Sequence, residues 1–298
     1  MSIDEAQDWQ KEERDIIFHI FQSKNTIIAD GLQQLVRTNT PLNWKVSKNK
    51  EIRYKEIVFP KKSLRQNKNL CIFQDFFAEK YYVDWKVAVN DKLNKGSIYV
   101  FVGDVNEYII GLLKDKTKGY SKDKYDDLLF LTPPHLTNRI TSTQKFALDE
   151  NKSYKANELI KRSFIHTEEW KKKGLEIFDG TYIDREKDKN PQDGEYRLYN
   201  YESCRGLESF GVVALDMDVF FDNKISFYKE DKDTIKQGDL NLQTKESKAL
   251  RYATMWSLIV FSRPVELLVI TIKDKNSTFF KTIQEFDKQN SNIINIIE

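Results

Sequence analysis

Met1-Ser2-Ile3-Asp4-Glu5-Ala6-Gln7-Asp8 opens the chain. An apolar residue precedes two adjacent carboxylates, then a small residue, an amide and a third carboxylate. Phosphoryl transfer needs one carboxylate to hold a divalent cation and a second to orient the attacking water. Adjacent acids at the end of a short buried strand supply both. Asp4-Glu5 alone reads first as an acidic tail before an amphipathic helix, because short motifs recur by chance. The whole string is much rarer, and it sets the expectation of a nucleotide-binding α/β protein.

The composition agrees with a folded chain. A length of 298 residues suffices for one large or two modest domains with a core. Hydrophobic residues at 40% and aromatics at 13% argue against disorder. The 48 basic residues exceed the 46 acidic ones by only two, a balance that neither demands nor excludes nucleic acid. Cys71 and Cys204 are the only cysteines, so no disulfide framework is implied and a reducing compartment such as the cytoplasm is expected. No apolar run approaches a membrane span. With three histidines and no C-x-x-C, a zinc site is not expected.

Beyond the octet, Ile16, Ile17, Ile20 and Phe21 recur at helical spacing, which predicts an amphipathic helix within 9–24. Thr26-Ile27-Ile28-Ala29 is a short apolar strand ended by Asp30-Gly31. Residues 38–55 are polar, carry Pro41, and read as a linker. From Ile57 the pattern is α/β. Predicted strands are Ile57–Phe59, Ile98–Val102, Leu128–Thr132, Glu176–Phe178, Leu198–Tyr201, Val212–Leu215 and Leu267–Ile272. Several are continuous apolar runs, which suits strands covered on both faces. Predicted helices lie between them at Asn69–Asn90, Ala156–Lys173 and Lys245–Phe261. The alternation implies a doubly wound, mainly parallel sheet. Residues 180–196 read as a loop, and the tail after Lys273 as one helix with a frayed end.

Four further segments carry chemistry. Asp30-Gly31-Leu32-Gln33-Gln34-Leu35-Val36-Arg37 follows a predicted strand, and is equally a polar turn. Ser63-Leu64-Arg65-Gln66 sits in a basic run, where Arg65 is otherwise a solvated charge. Tyr201-Glu202-Ser203-Cys204-Arg205-Gly206-Leu207-Glu208 lies between two apolar strands, and Gly206 lets the backbone approach a phosphate or sugar closely. A tight strand-loop-strand turn with an incidental glycine is the plain alternative. Phe261-Ser262-Arg263-Pro264 ends a predicted helix ahead of the strand Leu267-Leu268-Val269-Ile270. There Arg263 also fits as a cation complementing a helix C-terminus.

In this order and context, the five segments resemble motifs II to VI of the UvrD/Rep-like superfamily 1 DNA helicases, from Ile3 to Ile272. The resemblance implies a RecA-like fold and an ATP- and Mg²⁺-dependent motor on single-stranded DNA or DNA junctions. It assigns Asp4 to the metal, Glu5 to the water and Gln33 to sensing the γ-phosphate. Arg65 and Arg263 would neutralise transition-state charge, an arginine's contribution that reaches several powers of ten in rate. Gly206 and Glu208 would hold the nucleotide, with Glu208 on the ribose. Arg37, Ser203 and Arg205 would face DNA. Two departures mark the last motif: Ser262 stands where the family has Thr, and Pro264 where it has a small residue.

No G-x-x-x-x-G-K-[ST] occurs in the sequence, although the family places that phosphate cradle ahead of motif II. The resemblance therefore implies residues 1–45 as a remnant of the first RecA-like lobe. It implies 46–275 as the second lobe, its usual insertion reduced to 180–196, and 276–298 as a C-terminal helix and tail. A lobe or chain bearing the P-loop is an expected partner, and the chain alone is expected to be inactive. A non-catalytic pseudo-helicase module that binds DNA or a protein is the alternative from another class. No G-x-G-x-x-G follows a strand, which disfavours a dinucleotide enzyme, and no second acidic-lysine constellation supports a nuclease.

Overall fold

The computed structural model describes residues 1–3, 6, 9–29, 42–47, 50–55, 63, 65–120, 124–140, 161–181, 190–230 and 244–298. The chain divides into two units, Met1–Lys61 and Lys62–Glu298.

In the first unit, β1 (Ser2–Ile3) pairs in parallel with β2 (Ile27–Ile28). Between them runs α1 (Lys11–Phe21), whose start is a capping box. The Gln10 N–H donates to Glu13 Oε2 at 2.8 Å. Ile3, Ala6 and Trp44 form a small core with Trp9, Ile17 and Phe18 around it. The Trp44 indole N–H donates to the Ala6 carbonyl at 2.6 Å, which ties the expected linker into this core. After it, β3 (Val46–Ser47) and β4 (Lys50–Glu51) make a short antiparallel hairpin. Ile16, Ile20 and Phe21 remain exposed on the far side of α1.

The second unit begins with α2 (Lys68–Lys80), which is shorter than the predicted helix. Tyr82 takes φ 55°, in the left-handed region. The Val83 N–H then bonds back to the Ala78 carbonyl at 2.9 Å and Tyr82 N–H to Glu79, the pattern that closes a helix end. There follow β5 (Ser97–Val102), α3 (Glu107–Thr117), α4 (Lys124–Asp127) and β6 (Leu128–Thr132). Next come β7 (Thr137–Ile140), β8 (Lys161–Phe164), α5 (Thr167–Lys172), β9 (Ile177–Asp179) and β10 (Tyr196–Asn200). The unit closes with β11 (Ser209–Ala214), α6 (Met217–Glu230), α7 (Lys245–Phe261), β12 (Pro264–Ile272), α8 (Thr278–Gln289) and β13 (Ile294–Ile297).

Seven of these strands form one sheet in the order β13-β5-β12-β11-β6-β10-β9, every neighbouring pair parallel. In the middle, Val212 pairs with both Leu129 and Leu268. All five residues of β6 are buried, as a strand covered on both faces requires. One face carries α3 and α5 over Phe130, Trp170, Leu198 and Val213. The other packs α2, α6, α7 and α8 on each other, through rings of Phe73, Phe77, Phe261, Phe279 and Phe286. The unit is a mixed α/β, doubly wound fold consistent with the RecA-like class expected from the sequence.

Two expectations change. Within the described part of the predicted helix Ala156–Lys173, residues 161–173, only Thr167–Lys172 is helical, and Lys161–Phe164 is instead a strand paired antiparallel with β7; residues 156–160 lie outside the described residues. The turn between them is fixed by Ile165 N–H on the Leu136 carbonyl at 3.0 Å and by Phe164 N–H on Asp179 Oδ2 at 2.7 Å. The tail is not frayed: the Ser277 hydroxyl caps α8 at Phe280 N–H, and Ile294–Ile297 adds an edge strand to β5. The predicted strand Ile57–Phe59 lies outside the described residues, as does 182–189 of the reduced insertion.

Phe261 joins α7 to the aromatic layer and is fully buried. Phe261→Ala is expected to destabilise the fold by about 3–5 kcal/mol, and Tyr108→Ala, on the exposed side of α3, by under about 1 kcal/mol. Urea titration followed by circular dichroism checks the contrast, and equal midpoints for the two variants would refute this packing.

Candidate functional site

The turn from α7 into β12 draws three distant segments together at the amino ends of β11 and β12. A helix end leaves its last carbonyls without partners inside the helix, and Pro264 has no N–H to contribute. Gln66 meets that need. Its side-chain amide donates to the Phe261 carbonyl at 2.8 Å and the Pro264 carbonyl at 3.0 Å. Its own carbonyl oxygen accepts from Gln74 Nε2 of α2 at 2.9 Å. Ser63 braces the segment, since its hydroxyl accepts from Gln66 N–H at 2.9 Å. The Asn67 N–H donates to the Val265 carbonyl at 3.1 Å. Gly96, at φ 76°, lies close under this segment, and a Cβ there would come within 2.9 Å of the Asn67 Cβ.

Arg65 stands beside this clamp. Its guanidinium donates to the Ser262 carbonyl at 2.7 Å and is ion-paired with Glu208. Both side chains are open to solvent, at 41% and 58% exposure, so the pair is a weak, exchangeable contact rather than a stabilising one.

The loop that carries Glu208 is fixed at its start by Tyr201. That ring is fully buried, stacks on Phe220 at 4.1 Å, and donates its hydroxyl to the Leu215 carbonyl at 2.7 Å. Burial holds the phenol far above its ordinary pKa. Ser203 is exposed in the single 3-10 turn Tyr201–Ser203, and Arg205 is part-buried after it. The Leu207 N–H closes a turn on the Cys204 carbonyl at 3.1 Å. Gly206 adopts φ 71°, with open space where a Cβ would stand, so the left-handed turn demands glycine and leaves its outer side clear. Arg197 of β10 donates to the Glu208 carbonyl at 2.6 Å.

Arg263 is placed differently from Arg65. It is buried, at 7% exposure, and points back along its own helix. Its Nε donates to the Ile259 carbonyl at 2.9 Å, and one terminal nitrogen to the Ser262 hydroxyl at 2.8 Å. The other reaches the Leu207 carbonyl at 3.4 Å.

The structure thus gathers Arg65, Arg205, Gly206, Glu208 and Arg263 at one end of the sheet, with Ser203 at the head of the same loop. Asp4, Glu5, Gln33 and Arg37 lie outside the described residues. Gln66 and Arg197 had not been singled out. Gln66, a polar residue in a basic run, carries no signal before the α7–β12 turn is placed beside it. Arg197, one polar residue in a strand, carries none until pairing places it. Among the described residues no group of three histidines, cysteines or acids stands together as a metal site. No helix among them is long and apolar enough to cross a membrane.

No protein-family model matches the sequence, and no curated protein matches it. Among solved structures, the chain is similar to the C-terminal domain of a possible DNA helicase from Lactobacillus plantarum WCFS1. The identity is 10% and the TM-score 0.40, over 79% of this chain and 99% of that one.

Two outcomes follow from this geometry. Gln66→Leu keeps the volume but strands two carbonyls, and is expected to cost about 1–3 kcal/mol in urea unfolding; an unchanged midpoint would count against the clamp. Burial pushes the Cys204 thiol up to about 11, and raises that of Cys71. Both thiols are expected to ignore Ellman's reagent at pH 8 in the native protein and to react in denaturant, while rapid native reaction would contradict their burial.

Proposed function

We propose that this chain is the C-terminal portion of an ATP-dependent DNA helicase or translocase of the UvrD/Rep-like class, coupling ATP hydrolysis to movement on single-stranded DNA. The observation that carries the reading is the meeting of Arg65, Glu208 and the Ser262–Arg263 turn. Three segments singled out for the same nucleotide chemistry, the first 143 residues from the second, come within hydrogen-bond distance of each other. Their donor set suits a nucleotide: exposed guanidinium for phosphate, exposed carboxylate for a ribose hydroxyl, and a glycine turn whose outer side is open.

ATP, when bound, supplies the phosphoanhydride whose hydrolysis drives such a motor. The chain's own part is binding and orientation. Arg65 is held at the Ser262 carbonyl and exchanges its weak Glu208 contact for an incoming anion. Glu208, so released, is free to accept from a hydroxyl. Ser203 and Arg205 face the DNA backbone in this proposal. Asp4 would hold Mg²⁺ and Glu5 the water, with Gln33 sensing the γ-phosphate and Arg37 toward DNA. A P-loop-bearing lobe or chain completes the cradle.

One observation favours a second reading, a non-catalytic module that binds DNA or a protein partner. Arg263 is buried and engaged with its own helix end, which is a structural use of that side chain.

Binding of a fluorescein-labelled single-stranded oligonucleotide, with and without a fluorescent ATP analogue and Mg²⁺, separates the two. A motor fragment is expected to bind both and to let each change the other's affinity, with Arg65→Ala weakening the analogue about tenfold. DNA binding indifferent to nucleotide would support the binding module. Failure to bind either would reject the motor fragment and the DNA-binding form of the module.

A further inference from the structure

Arg197 belongs to no motif of the sequence, yet it converges on the same residue as Arg65. Arg65 engages the Glu208 carboxylate from one side, and Arg197 the Glu208 carbonyl from another. Arg263 touches the carbonyl one residue earlier, and Arg205 lies in the same turn. Four guanidiniums therefore surround the loop from Cys204 to Glu208. Carboxylates stand here too: Glu208 itself, Glu202 in the turn that opens the loop, Glu266 near the start of β12, which accepts from the Asn67 side chain, and Asp126 and Asp127 just ahead of β6. Asp126 meets the loop through its backbone, where its carbonyl accepts from the Ser209 hydroxyl at 2.7 Å. The Arg197 Nε is shielded from solvent and finds no hydrogen-bond partner among the described residues.

We propose that Arg197 is a phosphate-binding residue which, with Arg65 across Glu208, clamps a phosphate group of a bound nucleotide. The geometry that favours this is the shared anchor. Both side chains are pinned through Glu208, so one anion that competes for Arg65 also meets the donors of Arg197. A single cation on a flexible stem could serve a DNA backbone phosphate, whereas two converging planar forks suit a chelating phosphate chain. The identity of the anion rests on the nucleotide-dependent reading above; the membership of Arg197 in the cluster does not.

The test titrates the full chain with inorganic pyrophosphate, a fluorescent ATP analogue and a single-stranded oligonucleotide, for wild type, Arg65→Ala, Arg197→Ala and Arg197→Lys. Expected are binding of pyrophosphate and of the analogue, each weakened about tenfold or more in Arg197→Ala and in Arg65→Ala. Partial recovery is expected in Arg197→Lys, which keeps the charge but not the fork. Oligonucleotide binding should change by less than the analogue does. Should Arg197→Ala unfold, Arg197→Lys alone decides, because a lysine as effective as arginine is incompatible with a fork-shaped clamp. Analogue binding lost in Arg65→Ala but intact in Arg197→Ala would overturn this inference and leave the motor reading standing. Pyrophosphate binding lost in both variants, with no analogue binding by wild type, would overturn the nucleotide as its source and with it the motor reading. No pyrophosphate binding by wild type, or a loss confined to the oligonucleotide, would overturn the clamp outright.

Discussion

The end of α7 is the constraint on which the candidate site depends. The helix must turn into β12 within two residues, and the second element begins with a proline. Carbonyls from Ile259 to Val265 are then left facing a crowded junction, and each unpaired buried carbonyl costs about 1–3 kcal/mol. The chain satisfies them from four directions. The Ser262 hydroxyl and Arg263 Nε take the Ile259 carbonyl. Gln66 takes those of Phe261 and Pro264, Arg65 that of Ser262, and the Asn67 N–H that of Val265. The Ser209 N–H, opening β11, reaches the Arg263 carbonyl at 3.4 Å. Convergence of three distant segments is in this sense a solution to a capping problem, and Arg65 and Arg263 arrive as its partners.

That origin separates the two arginines that the sequence offers as equivalents. Arg263 follows directly on the helix end, so its nearest unpaired acceptors are the carbonyls of its own last turn. Arg65 comes from outside, satisfies one carbonyl with one arm, and holds the solvent-exposed Glu208 carboxylate with the other. The difference is electrostatic as well as steric. A buried guanidinium is held by its acceptors because losing them exposes an uncompensated charge. A half-exposed one paired with a half-exposed carboxylate is held by about 1 kcal/mol at most. Exchange of partners is therefore cheap at Arg65 and costly at Arg263. Any rearrangement that brought Arg263 outward would have to recap α7 at the same time.

Much of this arrangement was legible in the residues. Leu128–Thr132 and Lys245–Phe261 match the observed elements residue for residue, because four successive large apolar residues and a long amphipathic stretch leave little competition. Other elements were hidden for identifiable reasons. In α3, Gly111 interrupts the helical pattern, yet it is tolerated there because open space surrounds it. In α6, aromatic and polar residues stand close together in Met217–Glu230, and the stripe facing the sheet is narrow. Tyr82 ends α2 by adopting a backbone conformation that no tyrosine advertises. The strand β13 is four residues long and is defined only by its pairing with β5. Local propensity decides the first kind of element and tertiary pairing the second.

The site divides along the same line. Gly206 was readable as a glycine that lets the backbone approach closely between two strands, whereas Glu208 entered only through the family resemblance. Gln66 and Arg197 were not readable, because their roles exist only once the sheet order puts β10, β11 and β12 where they are. A glutamine in a basic run and an arginine in a strand look like solvated polar residues until their partners, up to 198 residues away, are in place. Non-local partners of this kind cannot be recovered from spacing, yet they are the ones that fix orientation. A helix end that must be capped recruits them in the first instance for stability. An anion bound as proposed would meet donors whose positions are already set, so the ordering cost of binding would in large part have been met during folding.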